Sequence, residues 1–206
     1  MKVLLLNGSI HTDGNTMVAL SEIEKELNEQ GIETEIFQIG VKPIRDCIGC
    51  GKCSEKGCIF EDDICNEFIQ KAYEADGFVF GSPVYYAHPS GRILSLLDRA
   101  FYSSKKAFAF KPVASICVAR RGGTSTTFDV LNKYATITNM ILVGSSYWNN
   151  VFGCQKKEAM QDEEGLQVMR NLARNMAWIL NCIQAGKEKG IEKPKVEHQY
   201  HTNFIR

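Results

Sequence analysis

The 206-residue sequence carries no excess charge of either sign, with 24 Lys and Arg against 24 Asp and Glu. A balanced chain has no long-range field to draw it to a phosphate backbone or an anionic leaflet, so nucleic acid and membrane are set aside as partners. No apolar run approaches the ~18 residues that a membrane span needs. The first residues form an apolar, strand-like run rather than a charged segment followed by a hydrophobic one and a cleavage site. The expectation is a cytoplasmic protein. Internal repeats and low-complexity segments are missing, and so are two nucleotide fingerprints: there is no Lys-Ser/Thr at Walker spacing and no GxGxxG.

What is present is an alternation. Runs rich in β-branched or aromatic residues at Val3–Leu6, Glu35–Ile39, Gly77–Phe80, Val113–Val118 and Met140–Val143 read as strands. Segments of helical period lie between and after them, at Asn15–Glu29, Asp62–Glu74, Ser90–Ser103, Thr124–Ile137 and from Asp162 to about Ala185. Repeated β-then-α units predict an α/β domain, a parallel sheet with helices on both faces. The expected layout is one domain over 1–185 with a cysteine-rich insertion at 41–61, then a charged tail over 186–206.

Ligands of such sheets bind outside the carboxyl ends of the strands, which singles out three loops. The first, Asn7 to Thr16, offers Ser9, Thr12, Asn15, Thr16 and unhindered glycine amides just before the helical run Met17–Leu20, the parts of an anion site at a helix N-terminus. It holds no Lys or Arg, so a phosphate there would rest on hydroxyls and backbone, which suits the monoester of FMN. An ordinary turn capped by Asn15 or Thr16 fits the same residues. The second loop, Gly81 to Ala87, contains Ser82, Pro83, Val84, Tyr85 and Tyr86: flat rings with hydroxyl tips on a stiffened turn, suited to a flavin ring or to plain surface packing. The third, Ala119 to Thr124, puts Arg120 and Arg121 before Gly122 and Gly123, either solvated charge or a positive edge for the N1–O2 side of a flavin. His11 and His88 lie on these loops and are assigned no catalytic role, nor are His198 and His201.

The long connection after the second strand contains Cys47, Cys50, Cys53 and Cys58 in a C-x2-C-x2-C-x4-C run with interleaved glycines. Three thiolates at successive short spacing with a fourth nearby suit the corners of a [4Fe–4S] cubane. Structural zinc and free thiols are the competing readings. Cys65, Cys117, Cys154 and Cys182 fall in helix, strand, loop and helix patterns and are expected to be buried thiols; Trp148 and Trp178 are expected to be packing residues. The helix around Ile93, Leu94, Leu96, Leu97 and Phe101 has more apolar surface than one sheet face needs, which predicts contact with a second subunit.

Taken together, GSIHTDGNT, SPVYYAHPSGRILSLLDR and CIGCGKCSEKGC resemble the iron–sulfur flavoproteins of the flavodoxin-like NAD(P)H-dependent FMN reductase superfamily, over about residues 1–145. The resemblance implies a flavodoxin-like three-layer sandwich with five parallel strands in the order 2-1-3-4-5, FMN as prosthetic group, a [4Fe–4S] cluster, and a dimer or tetramer in which the cluster of one subunit lies near the flavin of another. It implies that Ser9, Asn15 and Thr16 hold the FMN phosphate, that Ser82 to Tyr86 line the isoalloxazine, and that Cys47, Cys50, Cys53 and Cys58 bind iron. Arg121 and Gly122 are the further candidates at the ring edge. Simple reductases of the superfamily often carry Arg where this chain has His11, which alters the charge at the phosphate.

Three functions stay open on the sequence. One is an FMN oxidoreductase whose cluster passes single electrons between a donor such as NAD(P)H or ferredoxin and an acceptor. Another is a cluster-free NAD(P)H-dependent FMN, quinone or nitro reductase with the cysteines on zinc or free. The third is a zinc- or thiol-based interaction module without flavin. In the first two the cofactor performs the chemistry and no side chain serves as acid, base or nucleophile.

Overall fold

The computed structural model describes residues 1–54 and 57–204; Glu55 and Lys56 of the expected insertion and Ile205 and Arg206 of the expected tail lie outside the described residues. The chain runs β1 (Lys2–Asn7), α1 (Asn15–Glu29), β2 (Glu33–Gln38), α2 (Cys65–Glu74), β3 (Gly77–Tyr85), β4 (His88–Pro89), α3 (Gly91–Ser103), β5 (Pro112–Ala119), α4 (Thr124–Thr136), β6 (Ile141–Leu142), β7 (Asn150–Phe152) and α5 (Glu163–Glu188). The main sheet is parallel, in the order β2-β1-β3-β5-β6, which is the expected 2-1-3-4-5 arrangement. Among the described residues, no helix is long and apolar enough to cross a membrane.

Alternation along the strands builds the two halves of the core. Val3, Leu5, Val79, Ala114 and Ile116 face α1 and α5, while Leu4, Leu6, Phe78, Phe80 and Val113 face α2, α3 and α4. The second side is aromatic at its centre: Phe101 stacks on Phe108 with ring centroids 4.0 Å apart, and Phe78 and Phe68 lean on the same ring. On the first side α5 presents Val168, Met169, Leu172, Ala173, Met176, Ala177 and Leu180 at helical spacing, all buried. Arg174 and Arg170 then pair with Glu26 and Glu22 of α1 across the two helices.

Four expectations need correction. β3 does not stop at Phe80 but continues through Ser82 and Pro83 to Tyr85 and turns into the antiparallel β4. Pro83 is tolerated because the neighbouring strand has ended. The Gly81 carbonyl faces β1, where it accepts from the Gly8 amide, and Pro83, two residues on, faces the same side beyond the end of β1 at Asn7. The fifth strand is split: Ile141–Leu142 pairs with the start of β5 and Asn150–Phe152 with its end, the chain between them bulging outward. The apolar residues Ile93, Leu96, Leu97 and Phe101 of α3, expected to exceed what one sheet face needs, are all buried within the chain, with Leu94 half-buried and Tyr102 exposed. Finally, Cys65 and Cys117 are buried as expected but Cys154 and Cys182 are exposed, as are Trp148 and Trp178. Cys154 sits on the loop after β7, Trp148 on the strand bulge, and Trp178 and Cys182 four residues apart on the outward face of α5.

Candidate functional site

The loop after β1 is fixed from beneath by its own strand end. Asn7 is fully buried; its Nδ2 donates to Gln38 Oε1 (2.7 Å) and to the His11 carbonyl (3.2 Å), and its Oδ1 accepts from the Ser9 amide (3.0 Å). Gln38, at the end of β2, closes the ring by donating to the Ser9 carbonyl (2.6 Å). Gly8 donates to the Gly81 carbonyl and accepts from Ser90 Oγ (2.8 Å); a Cβ there would sit 2.7 Å from Gly81 O, so only glycine lets the two strand ends meet. Ser9 is buried, and its hydroxyl accepts from the His11 amide, leaving its proton free to donate elsewhere.

Helix α1 starts without a cap. Gly14 is at the capping position, no side chain accepts from the first-turn amides, and no acidic residue stands in that turn. An uncapped N-terminus of a fifteen-residue helix is a place for an anion. Thr16 is buried in that turn. Asn15 takes a different part: its Nδ2 donates to the Gln155 carbonyl (2.9 Å) and its Oδ1 accepts from the Ala159 amide (3.1 Å), binding the loop after β7 to the start of α1. That loop delivers the cation missing from the first one. Lys156 ion-pairs with Asp13, and His11, Asp13, Gly14, Asn15, Cys154 and Lys156 line one cleft. Nothing in the local sequence of the first loop signals Lys156, because 140 residues separate it from Thr16.

The two other rim segments meet each other. Tyr86 and Ala87 form the two-residue turn between β3 and β4 with φ of 52° and 57°, a left-handed pair that a hairpin of this length demands but that side chains disfavour. Tyr86 projects entirely into solvent, and Tyr85 is half exposed. Ser82 is buried, donating to the Pro83 carbonyl and accepting from the Ser90 amide, so its hydroxyl holds the hairpin base. Gly123 packs on the turn, a Cβ there lying 2.6 Å from Ala87 Cα and 3.0 Å from Val84. Arg120, Arg121 and Gly122 are exposed beside it. The structure thus brings Ser82 to Tyr86 and Arg121 with Gly122 into one corner of the rim, and Ser9, His11, Asn15 and Thr16 into the adjoining one.

The cysteine run occupies a separate place, against α3. Cys47, Cys50, Cys53 and Cys58 line one narrow cleft with Asp46, Phe60, Arg99 and Tyr102. Gly49 and Gly51 adopt left-handed backbone (φ 63° and 66°) that turns the chain between successive thiols. Burial first, and then the neighbouring Cys58, Cys50 and Cys47, push the Cys53 thiol up. Among the described residues no three His, Cys, Asp or Glu side chains are gathered closely enough to hold a metal ion. The donor set nevertheless fits a thiolate-bound group: four sulfurs share one cleft, and a buried cation stands behind them. Arg99, only 1% exposed, donates from Nε to Cys58 Sγ (3.3 Å), from Nη1 to Asp63 and the Arg45 carbonyl, and from Nη2 to the Phe60 carbonyl. Burial works against this charge, but Asp63 and then Cys58 outweigh it and raise the guanidinium above its usual range. Cys65, below the loop, is pushed up to about 12 by burial and is inert.

Residues 1–153 match the NADPH-dependent FMN reductase family. The chain belongs to that family. An iron–sulfur flavoprotein of Methanocaldococcus jannaschii is 32% identical over 196 residues, covering 89% of this chain and all of the relative. Among solved structures, a flavone reductase superposes with a TM-score of 0.70 at 18% identity over 89% of this chain, which spans 64% of that protein. An archaeal flavodoxin superposes with a TM-score of 0.60 at 13% identity, over 88% of this chain and 99% of its own length. The fold is therefore flavodoxin-like, and as a member of this family the chain is an FMN-dependent oxidoreductase. The family places its flavin chemistry in a chain whose rim loops leave an uncapped helix, a hydroxyl and two exposed tyrosines facing outward.

Proposed function

We propose that the chain is an FMN oxidoreductase that also holds a [4Fe–4S] cluster on Cys47, Cys50, Cys53 and Cys58, and that it relays electrons between a donor such as NAD(P)H or ferredoxin and an acceptor. The observation that carries the second half is the single cleft lined by all four thiols of the run. The name of the Methanocaldococcus relative, an iron–sulfur flavoprotein, supports the same reading. When bound, FMN supplies two-electron and one-electron chemistry and the cluster supplies one-electron chemistry.

The chain's own residues bind and orient. Ser9 would donate a hydrogen bond from its hydroxyl to the phosphate, the first-turn amides of Asn15 and Thr16 would complete the anion site, and Lys156, paired with Asp13, stands at its margin. Asn15 acts through its backbone here, its amide side chain being held by Gln155 and Ala159. Pro83, Val84, Tyr85 and Tyr86 bound the isoalloxazine. Ser82 holds that wall in place, and Arg121 with Gly122 presents positive charge and an unhindered amide at the ring edge. His11 closes the phosphate end where simple reductases carry Arg.

The thiol cleft lies well below the rim. Ser90 and Arg99 are nine residues apart along α3, which at helical rise is roughly 13 Å. A dimer or tetramer that sets the cleft of one subunit against the rim of another would shorten the path between the two groups, and the exposed Tyr85 and Tyr86 are available for it. Anaerobic purification with flavin, iron, zinc and labile sulfide counts tests the proposal; flavin with iron and sulfide supports it, and flavin with zinc or with neither metal refutes the cluster. A second reading is a cluster-free NAD(P)H-dependent reductase with the cysteines on zinc or free; among the described residues the four thiols are not gathered as any metal ion needs, which favours its free-thiol form. Steady NAD(P)H oxidation with a small quinone by iron-free protein would establish it.

A further inference from the structure

One guanidinium joins the two ends of the cysteine loop, while Asn66 of α2 holds the backbone at the second end, accepting from the Cys58 amide (2.9 Å) and donating to the Cys58 and Phe60 carbonyls (2.9 Å and 3.2 Å). The Arg45 carbonyl lies two residues before Cys47 and the Phe60 carbonyl two residues after Cys58, and Arg99 donates to both, at 3.3 Å and 3.1 Å. Its Nε donates to Cys58 Sγ, and its charge is balanced by Asp63, which in turn accepts the Arg45 amide (2.9 Å) and the Cys65 amide (3.0 Å). The Arg45 and Arg99 guanidiniums both lie over the Phe60 ring, at 5.1 Å and 5.8 Å from its centroid. Among the described residues, Cys47, Cys50 and Cys53 receive no comparable bond from the body of the protein.

We infer that Arg99 is the positioning residue of the thiol site: it ties the two ends of the 45–60 loop to each other, directs the sulfur of Cys58, whose backbone Asn66 holds, as the one about which the other three close, and biases the bound group electrostatically. A buried cation is costly unless every donor is used, and here four of its five N–H groups are directed to Asp63, two loop carbonyls and a ligand sulfur, none of them to another part of the core. A packing or ion-pair role would need Asp63 alone. A positive charge with an N–H···S bond favours the more reduced state of a thiolate-bound cluster, so it raises the reduction potential.

This inference rests on the cluster reading for its electrochemical half only. In R99Q the bonded amides at the two loop ends, Arg45 to Asp63 and Cys58 to Asn66, are expected to exchange with deuterium about tenfold faster while those of α5 are unchanged, and the midpoint potential of the reconstituted cluster is expected to move to more negative values. R99K, which keeps the charge and loses the planar fork, falls between. Should R99Q fail to fold because Asp63 is left buried and unpaired, R99Q/D63N removes both charges together and is read in the same way. Unchanged loop exchange overturns the clip whether or not iron is bound, and unchanged potential at wild-type iron content overturns the electrostatic part. Wild-type protein that takes up no iron refutes the cluster but leaves the exchange result to decide the clip.

Discussion

The rim and the thiol loop are two candidate binding regions on one sheet, and they are built in opposite ways. At the rim, β1, β2, β3, α1, α3 and the loop after β7 all contribute bonds: Asn7, Gln38, Ser82, Ser90 and Asn15 each tie two segments together. The thiol loop is secured near its two ends, at Arg45 by Arg99 and Asp63 and at Cys58 and Phe60 by Arg99 and Asn66, and among the described residues Cys47, Cys50 and Cys53 have no such brace. The rim is therefore braced by the fold itself, whereas the proposed thiol site would need its bound group to complete it, as metal sites coupled to local order do. The two should fail independently.

The largest expected effect is at the rim. Gly8→Val drives a side chain into the Gly81 carbonyl and Ile93, parts the ends of β1 and β3, and is expected to abolish FMN retention on desalting while iron uptake persists; parallel loss of both would show that the regions are not separable. Next is Asn15→Ala, which removes two bonds to the 155–159 loop and leaves the Ala159 amide without its acceptor. At about 1–3 kcal/mol for an unsatisfied group, FMN affinity should fall roughly tenfold, measured by fluorescence titration, with iron content unchanged.

The smallest effect is a control away from both regions. Burial lowers Lys111 to about 8 at the opposite end of the sheet, where its Nζ donates to the Ala72 carbonyl (2.9 Å). With a native value near 8 and an unfolded one near 10.5, the unfolded chain holds more protons between those limits, so this group makes stability rise with pH from about 8 to 10.5. Solvent screening of a half-exposed group keeps the gain on the order of 1 kcal/mol. Urea midpoints of wild type and Lys111→Met across that range check it: the rise belongs to the wild type and should be missing from the variant.

How much was legible in sequence follows the same division. The sheet order, α1 from Asn15 to Glu29 and the approach of Gly8, Ser9 and the 82–86 segment to one rim follow from local pattern and from a family resemblance carried by short motifs. The Gly-Ser-Pro sequence looks like punctuation, yet β3 runs through it because β1 ends first and Pro83 loses no ladder bond. The split fifth strand was hidden because Asn150–Phe152 is too short to show a period. α2 begins at Cys65, three residues later than the pattern suggests, because Asp62 and Asp63 turn to Arg45 and Arg99 instead of entering the helix. Arg99 and Lys156 went unnoticed for one reason: each serves a loop far from it in sequence, and one arginine in an apolar helix looks like a solvated charge. The buried Asn7 is similar, an amide at a strand end whose partners come from β2 and the next loop.

The central claim, two separately removable redox sites in one chain, is most directly tested by Cys58→Ala purified anaerobically beside wild type, with flavin and iron counted in both. One FMN is expected in each, with ~4 iron in the wild type and little or no iron in the variant. Iron-free wild type, or a variant that loses its flavin together with its iron, would contradict it.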